Sequence, residues 1–234
     1  MPDNLLLASL PHADRLASFI ERVELDTEET LYDAGSPITH YVFPVRAGII
    51  SIVKEMQGGT VEVGTVGREG IVGISALLGI RTAASRMFAQ SRSAFDRIRV
   101  ADLDAEMETS PGTRGILMRY VHAFHEEVAQ SVACNRLHSL EERCARWLLM
   151  SHDRTGSDLI HLKQRFLSYM LGVHRPAVSL AAGALQKAGL IRYSRGAITI
   201  LDRSGLEEAA CVCYAFGREA FVRSRLLVPA PRKE

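Results

Sequence analysis

Residues 163–201 read KQRFLSYMLGVHRPAVSLAAGALQKAGLIRYSRGAITIL, and this stretch decides the fold. Phe166, Leu167, Met170 and Leu171 recur at three- and four-residue intervals, the spacing of one buried helical face. Gly172 then supplies the permissive backbone of a tight turn, and Val173 follows as an apolar plug. A second helix is expected from His174 or Arg175, where Pro176 is tolerated because a first-turn N–H has no intrahelical partner. Its inward stripe is Val178, Ala181, Ala182, Leu185 and Ala188, and Gly189 ends it. Residues 190–201 alternate around Ser194-Arg195-Gly196 as a two-stranded hairpin does. Helix, glycine turn, helix and basic hairpin make a winged helix-turn-helix. A helical hairpin buried in a core is the plainer reading of such a pair. Charge separates the two. From Leu159 to Leu201 the charged residues are Lys163, Arg165, Arg175, Lys187, Arg192 and Arg195, with no Asp or Glu.

The same asymmetry runs through the chain of 234 residues, whose net charge of +1 averages two opposites. Residues 1–137 carry 13 Lys+Arg against 18 Asp+Glu, whereas residues 138–234 carry 15 against 9. A polyanion is therefore expected to meet the second part only. No 18-residue apolar run and no leader-type N-terminus is present, so the expected location is the cytoplasm, without a membrane partner. Cys134, Cys144, Cys211 and Cys213 show no C-x-x-C pair, which argues against a disulfide framework or a zinc site. Cys211 and Cys213 are expected on different faces of one terminal helix over Asp202–Leu226.

Working outward, residues 3–22 read as one or two short helices. Between Val23 and Arg99, short β-type runs at Tyr41–Val45, Ile49–Lys54, Val61–Val66 and Met87–Ile98 alternate with glycine corners. This texture predicts a small antiparallel barrel or jelly roll, whose interior either holds a ligand or is filled with side chains. A long helix is expected from near Thr113, with Leu117, Val121, Phe124 and Val128 as the seam of a parallel homodimer. A further helix over Leu140–His152 follows. The resulting class is α+β: a β-roll with N-terminal helices over 1–104, a long dimerisation helix over 105–138, and a winged helix-turn-helix with a C-terminal helix over 139–234.

In that order these parts resemble the Crp/Fnr superfamily of bacterial transcription regulators, carried by GVHRPAVS at 172–179, LQKAGLI at 185–191, ERCARWLL at 142–149 and VGREGIVG at 66–73. The resemblance covers nearly the whole chain. It implies double-stranded DNA as partner, a homodimer on an inverted repeat, RNA polymerase as a further partner, and a small-molecule effector in a cyclic-nucleotide-binding-like roll. Arg175 is the expected base reader, with His174 and Ser179 as further contacts; Lys163, Gln164, Arg192 and Arg195 are expected on phosphates. Gly73-Ile74 and Ala83-Ala84 stand where cyclic-nucleotide binders carry Gly-Glu and Arg-Ser, so cyclic AMP is disfavoured. Gly73, Arg81 and Arg86 are the remaining effector candidates. The first cysteine is Cys134, so an N-terminal iron–sulfur cluster is not supported and no cofactor is expected. Pro176 and Leu180 replace the glutamate and second arginine of the founding recognition helix, so base preference differs. His122 and His125 lack a metalloprotease spacing and read as exposed helix positions, with no metal.

Two other functions fit parts of the pattern. A constitutive DNA-binding dimer keeps the fold but fills the roll. A cupin-like metalloenzyme needs several histidines in the barrel, where His40 stands alone between Val23 and Arg99; an enzyme is not expected.

Overall fold

The computed structural model describes residues 2–162, 164–194 and 196–224. Two short helices, α1 (Leu5–Ala8) and α2 (Ala13–Ala17), cap the N-terminal domain. The buried Asn4 fastens them: its Oδ1 accepts from the Leu7 amide at 2.8 Å, and its Nδ2 donates to the carbonyls of Pro44 and Gly70 at 2.9 Å each.

Seven strands then follow: β1 (Glu21–Leu25), β2 (Thr30–Tyr32), β3 (His40–Pro44), β4 (Ile50–Met56), β5 (Gly59–Val66) and, after the short helix α3 (Ile74–Leu77), β6 (Arg86–Ala89) and β7 (Ser93–Arg99). They form two antiparallel sheets, ordered β1-β7-β3 and β2-β6-β4-β5. Tyr41, Phe43, Ile50, Ile71, Phe95 and Ile98 are almost wholly buried between and beside these sheets. The β-roll expectation holds, with two differences. The run Met87–Ile98 is two strands in different sheets, because the chain reverses at residues 90–92. β1 and β2 had no clear sequence signal: β1 is a charged edge strand, and β2 is three residues long with a register shift beside it.

Helices α4 (Val100–Thr109) and α5 (Pro111–Leu137) come next. Ser110 caps α5 by accepting from the Thr113 amide, and Pro111 occupies its first turn, where no donor is lost. The helix lies on β5 and on the turn after it by way of glycines. A Cβ at Gly64 would stand 2.8 Å from the Phe124 ring, and one at Gly70 would stand 2.2 Å from the Tyr120 hydroxyl. This packing covers two residues of the expected dimer seam with the chain's own roll. Leu117 is fully buried and Phe124 nearly so within the chain's own roll core, and Val128 packs partly against it. Val121 is half-buried. The exposed stripe of α5 runs through His122, His125, Ala129, Val132 and Arg136.

The C-terminal domain starts with α6 (Leu140–Thr155), opened by a capping box between Ser139 and Glu142 and closed by Gly156 in the left-handed region. Then follow β8 (Leu159–His161), α7 (Gln164–Leu171), α8 (Arg175–Lys187), β9 (Ile191–Ser194), β10 (Ala197–Ile200), α9 (Arg203–Ala209) and α10 (Cys213–Arg223). β8 joins the expected hairpin, giving a three-stranded wing ordered β8-β10-β9. The single terminal helix expected over Asp202–Leu226 is two helices among the described residues, because Ala210 is extended and the chain turns before α10. The core of this domain is separate from that of the roll. It is built on Trp147, Leu148, Phe166, Leu167, Val178 and Ile198, and it extends to Val53 and Phe88 on the roll.

Candidate nucleic-acid interface

The turn between α7 and α8 forms because Gly172 adopts φ 63°, where a side chain is strained. The Gly172 amide bonds the Tyr169 carbonyl at 3.3 Å and the Val173 amide bonds the Ser168 carbonyl at 3.1 Å, so α8 leaves α7 at a fixed angle. Val178, Ala181, Ala182 and Leu185 face inward as the periodicity predicts. Ala188 does not: it caps the end of α8 and is exposed. Arg175, Pro176, Ser179, Leu180, Gly183, Gln186 and Lys187 face solvent. His174, the N-cap of α8, is exposed and makes no side-chain cap bond.

Hydrogen bonds tie this face together. Gln164 donates to the Ser179 hydroxyl at 3.4 Å, and that hydroxyl donates to the Arg175 carbonyl at 3.2 Å. The Gln186 side chain accepts from the Tyr193 amide at 2.7 Å, which fixes the wing relative to α8. Arg175, His174, Ser179, Gln164 and Arg192 are therefore exposed on adjoining elements. Lys163 and Arg195 lie outside the described residues. Leu180, 74% exposed, was not singled out as a contact from sequence; it is out of phase with the inward stripe, and that is the signal that places it outside.

Among the described residues, Arg175, Lys187 and Arg192 are in no ion pair, while Arg154, Arg165 and Arg203 of the same domain are. Arg165 pairs with Glu28 of the roll, and Arg203 with Asp153 and Glu207. Arg154 is buried; its Nε meets Glu69 at 2.8 Å, its Nη2 meets Glu127 at 3.2 Å, and it donates to Thr65. Burial alone pulls the Arg154 pKa down, and the two carboxylates overcome it, so the group stays charged.

These contacts hold the C-terminal domain against the roll. Phe88 and Phe166 meet at 5.7 Å between ring centroids, and the Trp147 indole donates to Glu62 at 3.3 Å. Burial pushes the Glu62 carboxyl up to about 7, against the lowering effect of hydrogen bonds from Ser51, Trp147 and Gln90 and of the Arg154 charge. Beside this contact, a cleft of about 440 Å³ opens among roll, α5, α6 and α10, lined in part by Arg68, Glu69, Arg154, Tyr214, Arg218 and Phe221.

Of the three effector candidates in the roll, the two arginines already have partners. Gly73 takes φ 98° as N-cap of α3. Arg81 pairs with Asp104, which also accepts from the Tyr41 hydroxyl at 2.9 Å. Arg86 meets Glu55 at 3.1 Å and lies over the Phe88 ring.

The cysteine expectation fails on geometry. Cys211 and Cys213 flank a turn instead of sharing a helix, and both side chains reach Cys134 and His138 at the end of α5. The hydrogen bond from Cys211, with those of His138 and Cys213 and the Arg146 charge, holds the Cys134 thiol below its ordinary range.

Fold and site together define a β-roll joined through a long helix to a winged helix-turn-helix. Residues 142–209 match the family model of the Crp-like helix-turn-helix domain. Solved structures share the larger architecture. FixK2 from Bradyrhizobium japonicum is 15% identical with a TM-score of 0.71, over 82% of this chain and 98% of that one. A CRP-family transcriptional regulator from Thermus thermophilus is 19% identical with a TM-score of 0.68, over 80% and 96%. The c-di-GMP responsive global regulator CLP of Xanthomonas campestris is 15% identical with a TM-score of 0.65, over 80% and 96%. No curated protein matches the chain. The chain thus has the fold of these Crp/Fnr-type structures, with a Crp-like helix-turn-helix over residues 142–209. Among the described residues no helix is long and apolar enough to cross a membrane.

Proposed function

We propose that the chain is a dimeric transcription regulator of Crp/Fnr type that reads an inverted repeat in double-stranded DNA. The observation that carries this reading is the set of cations Arg175, Lys187 and Arg192 around an exposed α8, outside every ion pair of the described residues, whereas Arg154, Arg165 and Arg203 of the same domain are paired. α8 enters the major groove by its N-terminal end, where Arg175 bonds the two acceptors of a guanine. His174 and Ser179 are further contacts near that end, and Leu180 offers an apolar surface to a thymine methyl. Gln164 and Arg192 hold phosphates.

Two chains pair along the exposed stripe of α5, which places the recognition helices about 34 Å apart, one turn of DNA. A signal acts by loosening or tightening the contact of the DNA-binding domain with the roll, and the cleft beside Arg154 is where a ligand can distinguish the two arrangements. A constitutive dimer with a filled roll is the second reading, favoured by the buried aromatic interior and the partners already held by Arg81 and Arg86.

Sites selected from random DNA, followed by anisotropy titrations, test the proposal. Arg175→Ala should cost about 1–3 kcal/mol and relax preference at one base pair per half-site, with affinity falling steeply as salt rises. A flat salt response, or selection yielding no inverted repeat, overturns it.

A further inference from the structure

We infer that Cys134, His138, Cys211 and Cys213 form a binding site for a single soft divalent metal ion, zinc foremost. Their four ligand atoms lie within 4.8 Å of one another. Cys134 Sγ and Cys211 Sγ are 3.4 Å apart, and Cys213 Sγ and His138 Nδ1 are 3.5 Å apart. A tetrahedral zinc with Zn–S bonds of about 2.3 Å has ligand-to-ligand edges of roughly 3.8 Å, so the cluster already has the size of one coordination shell. Thiolates bound to the separate irons of an iron–sulfur cluster stand farther apart, which leaves room here for one ion only.

The backbone explains why four ligands meet. Cys134 and His138 are four residues apart at the end of α5, on one face, and the His138 amide bonds the Cys134 carbonyl at 3.1 Å. Ala210 is extended, and the Tyr214 amide bonds the Cys211 carbonyl at 3.0 Å, so the chain folds at Val212 and both flanking thiols turn inward while Val212 itself is exposed. The three cysteines are buried. Around them stand the outer groups that such a site uses. Gln130 Nε2 donates to Cys213 Sγ at 3.0 Å, orienting one ligand. Arg143 and Arg146 bring positive charge to Cys134 and Cys211, offsetting the single net negative charge of three thiolates and a neutral imidazole on a divalent ion. Three sulfurs and one imidazole select zinc over calcium or magnesium, which require oxygen.

The site joins the end of α5 to the start of α10 across the point where the chain enters α6. A bound ion therefore staples the C-terminal helix to the long helix beside the break at His138-Ser139 between α5 and α6. This assignment is independent of DNA recognition by α8.

The full chain, purified under reducing conditions, should carry about one zinc per chain by elemental analysis. After chelation, Co²⁺ added to the reduced protein should give tetrahedral d–d bands with thiolate-to-cobalt charge transfer, saturating at about one equivalent and displaced by Zn²⁺. Adding zinc to the chelated protein should raise its melting temperature, because the ion binds the folded state. Cys213→Ser and His138→Ala should weaken the cobalt spectrum or alter its charge-transfer intensity. The inference is overturned if the chelated, fully reduced wild-type chain binds neither ion, including the case in which air links Cys134 to Cys211 and reduction restores no metal binding. It is equally overturned if Cys134→Ala and Cys211→Ser bind cobalt as the wild type does.

Discussion

Glu62→Gln tests whether the roll and the DNA-binding domain meet through a carboxyl that is costly to ionise. The Glu62 carboxyl touches Ser51 at 2.7 Å and Gln90 at 3.3 Å within the roll, and Trp147 at 3.3 Å on α6. Arg154 acts on it as a charge, and Arg143 and Arg146 line the same small cavity. Burial raises its pKa from 4.5 to about 7. A carboxyl raised in the folded state binds a proton on folding, so its favourable contribution is complete below the unfolded value and is lost as pH rises through the folded one. The shift corresponds to about 3 kcal/mol at most, of which about 2 kcal/mol is lost between pH 5.5 and 8. Residual solvent contact at Glu62 makes this a ceiling.

The glutamine variant keeps the shape and carries no titration. Its stability in urea should lose this part of the pH slope, and at pH 8 it should exceed the wild type by up to about 2 kcal/mol once a mismatched contact with the Gln90 amide is allowed for. Trp147 is the only tryptophan, so its fluorescence reports on this contact directly. Wild-type emission should titrate with a midpoint near 7, and the variant should not. Equal pH slopes in the two proteins, with equal fluorescence titrations, would refute the reasoning.

Two further outcomes follow from packing and charge. Arg154→Ala leaves Glu69 and Glu127 facing each other in a buried space and should cost about 3–5 kcal/mol in urea unfolding, whereas replacing all three charges by apolar or amide groups should recover most of that loss. Val132→Asp, at an outward position of α5 that is 67% exposed, should leave each chain folded by circular dichroism and shift sedimentation towards the monomer. A dimer unchanged by this substitution would exclude the outward stripe as the contact face.

The helix-turn-helix was legible because its signals are local. Gly172 and Gly189 bracket a helix whose apolar residues keep one period, and the absence of acid from residues 159–201 follows from composition alone. The long helix was legible in extent but not in orientation. Leu117, Val121, Phe124 and Val128 announce a buried stripe, yet periodicity does not say which surface covers it; Gly64 and Gly70, distant in sequence, let the roll take that place. The cysteine cluster was hidden for the same reason. Its pairs are 73 residues apart or more, and a C-x-C read as helix puts its thiols on opposite faces until the chain folds at Val212. β1 and β2 escaped because edge strands with charged or few residues carry no alternation.

These features bear on how a signal could reach α8. The two domains share apolar contact at Phe88 and Phe166, a carboxyl that is costly to ionise at Glu62 and a buried charge at Arg154, and only the first is indifferent to pH and to the hydration of charge. Opening the contact hydrates Glu62, returning its pKa towards 4.5, and hydrates Arg154 with its two carboxylates. Both events weaken the opposition to opening at neutral pH, since ionised Glu62 and the charged triad are better solvated in water than in the closed state. The apolar pair pulls the other way. A domain contact balanced between such terms needs little ligand energy to shift, about 1–3 kcal/mol in ordinary allosteric couplings. That is the range in which the Glu62 contribution itself falls, so the pH dependence of DNA affinity in wild type and Glu62→Gln measures the same balance from the DNA side. If the two affinities keep a constant ratio from about pH 5.5 to 8, the window in which Glu62 changes its proton occupancy, the contact with the roll does not govern access of α8 to DNA.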